Sequence, residues 1–398
     1  MHPGGSRKPQ IKYEHAPAWG RPAFRDPGTG PVVGRPDSGY DPFNLQFAGQ
    51  IIFDIPKEHK NGKHLSQKTK ASGRAAWLAD AVYGLSLHWV AQSVPRHGDR
   101  PLPVTEAVDK FDVPLLVQQC VEAGAGWLLF TISHAKQHLL FPSKIMDRVL
   151  PGRTCERDLM AEIIDALAAK NIPVIFYYPN IADNFDPDWQ RASGWLYDPA
   201  SYTALQYDLV TEIGERYGPK LAGWWIDNCY DPKICLWKPW HVKSPSINKH
   251  ADLYDFERYA NALRAGNPDR AVAFNFAGTD AWKSELGKGI VDYAAGESNH
   301  LDRLPYGQLS GEGDSQWHSF VWMDEFWGHW AAGEIPPPRY ETGLVISYIE
   351  YVKKHGGAFS YNAAAYQDEL IPETTMEQLR KIKTQIRKGS SVSDQIKG

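Results

Sequence analysis

The sequence predicts an α/β protein whose main domain is a (β/α)8, TIM-like barrel. From residue 84 onward, short apolar runs alternate with amphipathic helical windows, and the alternation repeats eight times. Most of these runs are continuously apolar, as expected for parallel strands that are covered on both faces. Eight repeats fit a closed barrel better than an open doubly wound sheet. The open sheet stays as the alternative, although no G-x-G-x-x-G phosphate loop follows any of the strands.

The first 50 residues contain eight prolines and eight glycines, which is too many for regular secondary structure. We therefore predict an irregular Pro/Gly-rich arm over residues 1–55 and a catalytic barrel over residues 56–398. The predicted strands cover residues 84–89, 126–133, 172–179, 221–227, 271–276, 291–297, 319–327 and 357–364.

Amphipathic windows between these strands predict the helices, which lie at residues 111–126, 156–171, 201–218, 253–267 and 372–389. Several of them end in Gly or Asn, where a left-handed cap costs little. The least regular part is expected around strands five to seven, because the windows 280–290 and 298–318 are Gly-rich and weakly periodic.

Composition excludes several classes of function. The 398 residues are 42% hydrophobic and carry a net charge of -4, so no basic surface indicates nucleic-acid binding. No apolar window is long enough to span a membrane, and four cysteines without a C-x-x-C pair indicate no disulfide framework. The N-terminus has no apolar signal segment, so we expect a cytoplasmic protein, although a secreted protein whose signal had been removed would look the same.

Polar side chains stand where the apolar strands end. A barrel brings the carboxyl ends of its strands to one mouth, where catalysis takes place. The side chains at these ends are His88, Ser133, His134, Tyr177, Tyr178, Asp227, Asn228, Asn275, Glu297, Trp327 and Asn362. A buried charge is costly unless it interacts with a partner or a ligand, so Asp227 at the end of its strand is expected to face the mouth.

Two carboxylates on different strands, Asp227 and Glu297, suit glycoside hydrolysis. One attacks the sugar or activates water while the other protonates the leaving oxygen. The 15 tryptophans and 19 tyrosines fit a sugar site, but they also fit ordinary packing in a large protein. His134 and His138 have the spacing of a zinc pair if they lie on a helix, yet no H-E-x-x-H motif is present. No G-x-S-x-G motif occurs, and Cys229 has no obvious base.

Several segments resemble, in order, the motifs of glycoside hydrolase family 29, the α-L-fucosidases. They are WLADAVYGLSLHWVAQSVP (77–95), TISHAKQHLLFPSK (131–144), ERDLMAEIIDALAAKNIPVIFYYP (156–179), YGPKLAGWWID (217–227), VDYAAGESN (291–299), WHSFVWMDEFWG (317–328) and the stretch 343–373. The resemblance implies a retaining hydrolase of an exo-terminal α-L-fucoside or related sugar that needs no cofactor or metal.

In the roles that the resemblance implies, Asp227 is the nucleophile and Glu297 is the acid/base candidate, with Glu312 and Glu325 as alternatives. The resemblance and the strand ends together predict a set of substrate-binding residues, which is His88, Trp89, His134, His138, Tyr177, Trp225, Asn228, Asn275 and Trp327. The partner is a carbohydrate, and the oligomeric state is left open.

The chain also departs from the family pattern. Ala135 replaces the second of two adjacent histidines, Val90 replaces a glycine, and NFAG (275–278) lacks an expected arginine. These departures predict a different or decorated glycoside. They also leave two alternatives open: a carbohydrate-binding pseudoenzyme and a transglycosylase. Because the chain ends soon after the last barrel helix, the family's usual C-terminal β-sandwich is not expected.

Overall fold

A computed structural model of the protein describes residues 73–388, except 135, 181–185, 230–253, 277–288, 302–314 and 369. The predicted arm over residues 1–55 lies outside this part of the chain. The described residues contain eight parallel strands: β1 Tyr83–Leu87, β2 Leu128–Thr131, β3 Val174–Pro179, β4 Leu221–Asp227, β5 Ala271–Phe274, β6 Glu297–Ser298, β7 His318–Trp322 and β8 Ala358–Ala363. Neighbouring strands pair in the order β5-β4-β3-β2-β1-β8-β7-β6. The predicted (β/α)8 architecture is confirmed.

Helices connect the strands and cover the outside of the sheet. They are α1 Ala76–Ala81, α2 Val104–Lys110, α3 Val113–Ala123, α4 Lys144–Val149, α5 Leu159–Ala168, α6 Pro187–Ala192, α7 Pro199–Tyr217, α8 Phe256–Leu263, α9 Thr342–Lys354 and α10 Glu373–Ile386. Six of them begin at a side chain that accepts a hydrogen bond from the first turn; these N-caps are Asp112, Ser143, Asp158, Asp186, Asp198 and Asp255. As predicted, α3 ends at a left-handed glycine, Gly124, with φ +68°.

The ring of strands closes between β5 and β6 through the backbone and the side chain of one residue, Asp292. The backbone N–H of Asp292 donates to the carbonyl of Val272 in β5 at 2.9 Å, and the Val272 N–H donates back to Asp292 Oδ2, also at 2.9 Å. Arg264 donates to the same carboxylate oxygen at 2.7 Å. We call this contact between Val272 and Asp292 the barrel seam. It replaces strand pairing at the one junction that the sheet order leaves open.

Strand β6 is much shorter than the predicted run over residues 291–297. Only Glu297 and Ser298 pair regularly with β7, while Tyr293 forms an isolated bridge with Gln316. Gly296 explains the close approach, because its φ is +69° and an added Cβ would lie 2.1 Å from the carbonyl oxygen of His318. The backbone of this segment therefore lies directly against β7.

A buried arginine, Arg270, closes the amino-terminal edge of β4 and β5. Its guanidinium donates five hydrogen bonds of 2.6 to 3.1 Å to backbone carbonyls; the acceptors are Leu221, Leu263, Ala265, Gly214 and Gly218. These carbonyls lie at or just after the carboxyl ends of α7 and α8 and at the start of β4, and the Gly214 carbonyl also accepts from the backbone N–H of Gly218. Burial lowers the pKa of Arg270 to about 10, so the side chain is charged at neutral pH.

Large apolar side chains fill the barrel interior below the site. Leu129, Ile175, Tyr177, Trp225 and Phe320, from four different strands, are all at most 1% exposed. Such a packed interior fixes the direction in which each strand end points. Among the described residues, no helix combines the length and the apolar character needed to cross a bilayer.

Candidate active site

Asp227 stands at the last residue of β4 and accepts three hydrogen bonds. Tyr177 donates to Oδ2 at 2.6 Å, while the Asn275 amide and the backbone N–H of Asn228 both donate to Oδ1 at 2.8 Å. Asn228 has φ +60°, a left-handed conformation that asparagine tolerates, and it turns the chain sharply after the strand. The Asp227 carboxylate is thus oriented by Tyr177 in β3, by Asn275 just after β5, and by the turn at Asn228.

Opposing effects set the ionisation of Asp227. Burial raises the pKa of its carboxyl group above the ordinary value, because the charged form loses water. The three hydrogen bonds lower this pKa again, since all of them are made to the charged form. The donors therefore favour the carboxylate form and partly offset the effect of burial, which remains the larger of the two.

The amide of Asn275 bridges Asp227 and Glu297. Its Nδ2 donates to Asp227 Oδ1 at 2.8 Å and to Glu297 Oε2 at 2.6 Å. Asn275 follows β5, its side chain is fully buried, and its backbone N–H donates to Ile226 in β4. The structure therefore brings together the two carboxylates that the sequence proposed, although 70 positions of chain separate residue 227 from residue 297.

His88, after β1, is held in a single orientation. Asn362 in β8 donates its amide to the carbonyl of Trp327 at 2.8 Å, so its oxygen faces His88 Nδ1, 2.9 Å away. Burial lowers the pKa of His88 to about 3, with a further contribution from His134. The ring is therefore neutral with its proton on Nδ1, which leaves Nε2 as a hydrogen-bond acceptor.

His134 lies beside His88 and over Tyr177. The ring centroids are 5.7 Å apart for the two histidines and 5.8 Å apart for His134 and Tyr177. Burial lowers the pKa of His134 to about 4, and its imidazole makes no hydrogen bond to any residue that the structure describes. Two neutral imidazoles next to the acids can pair with hydroxyl groups of a ligand.

Aromatic rings form the wall around the acids. Trp225 stacks on Tyr177 with a centroid distance of 5.2 Å and an interplanar angle of 15°, and it donates its indole N–H to the carbonyl of Ala295. Trp327 contacts Phe320 at 4.8 Å and His88 at 5.6 Å. This wall gives the site an apolar side suited to the face of a sugar ring.

Two residues of the predicted set contact other parts of the molecule. Trp89 donates its indole N–H to the carbonyl of Gln367 at 3.1 Å and packs on Phe111 and Phe130. His138 lies 3.7 Å from the Cys155 sulfur, and the described residues around it are not helical, so the spacing required of a zinc pair is not present.

Of the alternative acids, Glu325 accepts from His329 at 2.6 Å and makes no hydrogen bond with Asp227 or Asn275. Glu312 lies outside the described residues.

The predicted set did not include Asn362 or Trp330. Asn362 was recognised as a strand end, but its role in orienting His88 depends on a partner 274 residues away. Trp330 contacts His134 at 5.5 Å. The aromatic-rich stretch DEFWGHW (324–330) was the sequence signal that could have identified it.

Comparison with known proteins assigns the family. The family model described as Alpha-L-fucosidase matches residues 104–388, which is well over half of the chain. The chain belongs to the α-L-fucosidase family. It is a glycoside hydrolase of that family, and the resemblance expected from the sequence is confirmed. No curated protein sequence matches the chain.

Solved α-L-fucosidases share the fold at low identity. Isoenzyme 1 from Paenibacillus thiaminolyticus is 18% identical, with 80% of this chain and 76% of that chain covered and a TM-score of 0.55. The α-L-fucosidase from Lactobacillus casei is 17% identical, covering 78% and 97%, with a TM-score of 0.52. A Bacteroides thetaiotaomicron family 29 enzyme, trapped as a covalent intermediate with 2-fluoro-fucosyl fluoride, is 18% identical, covering 81% and 77%, with a TM-score of 0.54.

Proposed function

We propose that this member of the α-L-fucosidase family hydrolyses a terminal α-L-fucoside, or a closely related glycoside, with net retention of anomeric configuration. The observation that supports retention is the amide shared by the two acids. A single Asn275 nitrogen within hydrogen-bond distance of both holds one oxygen of Asp227 within about 5.5 Å of one oxygen of Glu297. Retaining enzymes have carboxyl groups about 5 to 5.5 Å apart, whereas inverting enzymes need roughly 6.5 to 9.5 Å to admit a water.

In the proposed first step, the Asp227 carboxylate attacks the anomeric carbon and forms a glycosyl ester. The bond from that carbon to the leaving oxygen breaks, and Glu297 transfers its proton to this oxygen. In the second step, the Glu297 carboxylate takes a proton from water, whose oxygen attacks the anomeric carbon and releases Asp227. Two inversions give net retention.

The surrounding residues have roles consistent with this reaction. Tyr177 and Asn275 stabilise the attacking carboxylate, and the Asn275 amide also orients Glu297. His88 Nε2 and the His134 imidazole can pair with sugar hydroxyls, while Trp225 and Trp327 line the apolar side of the pocket. The trapped covalent intermediate of the Bacteroides enzyme supports a covalent route for this chain.

The test uses 2-fluoro-fucosyl fluoride and two substitutions. Wild-type protein treated with the reagent should gain one 2-fluorofucosyl group on the peptide that contains Asp227. Asp227→Asn should lower kcat/KM for 4-nitrophenyl α-L-fucopyranoside by several orders of magnitude. Glu297→Ala should slow substrates with poor leaving groups far more than activated aryl fucosides, which need little protonation.

A matched control is Glu257→Gln, which changes an exposed carboxylate in the first turn of α8 and should leave turnover unaltered. Label on another residue, or near-normal turnover by Asp227→Asn, would contradict the assignment. Binding of fucose by the wild type without turnover of any fucoside would instead support the carbohydrate-binding alternative.

A further inference from the structure

Three aromatic side chains, one at the end of β7 and two in the loop after it, lie at the edge of the site. We call Trp322, Phe326 and Trp330 the aromatic rim. Phe326 is 51% exposed and Trp330 is 37% exposed, although both are large apolar side chains. The Phe326 ring contacts Trp322 at 5.8 Å and Trp330 at 6.3 Å, so the three rings form one group. Adjacent exposed aromatic rings are a common feature of surfaces that bind ligands.

The aromatic rim is continuous with the acids. Trp330 contacts His134 at 5.5 Å, and His134 contacts Tyr177 at 5.8 Å. The Tyr177 hydroxyl donates to Asp227 at 2.6 Å. A path of touching side chains thus leads from the carboxylate at the bottom of the pocket to exposed rings at its edge.

The loop that carries the rim is fixed by the surrounding structure. Arg339 places its guanidinium 3.5 Å from the centre of the Trp322 ring. At Gly328 an added Cβ would lie 2.5 Å from the Trp330 indole nitrogen and 3.0 Å from the carbonyl oxygen of His88, so only glycine lets the indole lie this close to the loop. These contacts hold Trp322 and Trp330 in place, which reduces the entropy cost of binding a ligand at the rim.

We infer that the aromatic rim stacks on the ring of the leaving group of the substrate, which in a natural glycoside is a second pyranose. This inference rests on the proposed function and assigns the part of the substrate beyond the cleaved bond. The sugar that is attacked lies among His88, Tyr177 and Trp225, whereas the rim lies on the solvent side of His134. Apolar ring faces that remain exposed next to a carbohydrate pocket fit the apolar face of a pyranose.

The test compares a substrate that has a ring in its leaving group with one that has none. Full-length Trp330→Ala and Phe326→Ala should lower kcat/KM for 4-nitrophenyl α-L-fucopyranoside about fivefold to tenfold, mainly through KM, while kcat/KM for α-L-fucosyl fluoride changes less than about twofold. Trp330→Phe, which keeps a ring, should retain most of the activity on the aryl fucoside.

The matched control is Tyr351→Ala, which removes a partly exposed ring near the carboxyl end of α9, at the opposite edge of the barrel. It should affect neither substrate. Equal losses on both substrates, or no loss on the aryl fucoside, would overturn the inference while leaving the proposed function intact. A wild type that cleaves neither compound would overturn the proposed function and this inference with it.

Discussion

Tyr177 links the aromatic wall of the site to the charge on Asp227. Its ring stacks on Trp225 and contacts His88 at 4.7 Å, and its hydroxyl donates the shortest of the three hydrogen bonds to the carboxylate. Because burial raises the pKa of Asp227, the charge depends on such donors. The hydroxyl should therefore control the pH at which Asp227, the proposed nucleophile, becomes ionised.

Tyr177→Phe should move the acid limb of the pH profile. Without this donor the pKa of Asp227 rises further, so its carboxylate, which attacks the sugar in the proposed reaction, is protonated at a higher pH as the solution is acidified. The acid limb of kcat/KM should shift to higher pH, and kcat/KM above the limb should fall about tenfold or more. The measurement is the pH profile with 4-nitrophenyl α-L-fucopyranoside.

Tyr178→Phe is the control for this prediction. Tyr178 is the next residue of β3, points to the opposite face, and donates to Gln206 at 2.9 Å. Loss of its hydroxyl should affect stability without moving the limb. An acid limb at the wild-type position in Tyr177→Phe would show that the hydroxyl does not govern the ionisation of Asp227.

Sequence reasoning located individual site residues where a polar residue ends an apolar run. Asp227, Asn275 and Glu297 were found in this way, and the structure places them in one cluster. Sequence reasoning gave no basis for predicting that Trp89 and its neighbour His88 face different parts of the molecule. Both follow β1, but Trp89 packs on Phe111 and Phe130 while His88 contacts Tyr177. Which of two consecutive side chains faces the pocket depends on the local backbone after the strand.

The loop after β7 depends on one buried carboxyl group. Asp324 Oδ1 accepts from the backbone N–H groups of Glu325 and Ala364, at 2.8 and 2.9 Å. Its Oδ2 accepts from the Thr375 hydroxyl in α10 at 2.8 Å. This residue thus joins the loop that carries Trp327 and the aromatic rim to the residues after β8. Burial raises the pKa of Asp324 to about 7.

Asp324→Asn should change how stability depends on pH. The folded protein holds the Asp324 proton more tightly than the unfolded chain, so the contribution of this group to stability is complete below about pH 4 and is lost as the pH rises through about 7. Asparagine keeps one acceptor oxygen, and its amide can donate to Thr375, but it does not titrate.

The measurement is urea unfolding of both proteins from pH 5 to pH 8. The free energy of unfolding of the wild type, relative to Asp324→Asn, should fall by about 1 to 4 kcal/mol across this range. Asp269→Asn, in the exposed turn before β5, is the control and should leave the wild-type pH dependence unchanged. A parallel pH dependence of wild type and Asp324→Asn would contradict the prediction.

Elements with strong periodicity were predicted well, and short ones were not. The windows at 111–126 and 156–171 each contain a helix with an aspartate cap, and the window at 201–218 covers all but the first two residues of α7. The short helices α4 and α6 were not predicted, because six residues are too few for a periodic pattern. The run over 319–327 was predicted as one strand, but β7 ends at Trp322 and the loop held by Asp324 follows.

At the scale of the whole molecule, the barrel seam decides whether eight strands make a closed ring. The Asp292 carboxylate supplies the acceptor for the Val272 N–H, which would otherwise have no strand partner, and it also pairs with Arg264. Asn275 and Glu297 lie on the two sides of this junction and share a hydrogen bond. Closure of the fold and assembly of the site are therefore coupled.

Asp292→Ala should weaken the molecule at this junction. The change removes the acceptor of the Val272 N–H and the carboxylate partner of the partly buried Arg264, and we expect a loss of about 2 to 4 kcal/mol in the free energy of unfolding. Amide exchange at Val272 and its neighbours in β5 should become faster. Asp269→Ala, an exposed carboxylate in the adjacent turn, is the control and should have little effect. Unchanged exchange at Val272 would mean that the seam is held by other contacts.

The number and order of the strands were predictable because the alternation of apolar runs with amphipathic helical windows is visible in the sequence. The manner of closure was not, because it depends on the backbone N–H and the side chain of one residue, Asp292, in place of regular strand pairing. The prediction that strands five to seven are the least regular part agrees with a two-residue β6, yet the sequence alone gave no reason to single out Asp292. An aspartate before a strand occurs in many structural settings. Only the three-dimensional structure shows that Asp292 bonds to β5.

Gly296 restricts which changes the segment before Glu297 can accept. Proline would hold φ near -65°, whereas Gly296 has φ at +69° and no room for any side chain. Any other residue at this position would therefore push the main chain away from β7. The Glu297 carboxylate, which shares the Asn275 amide with Asp227, would move with it.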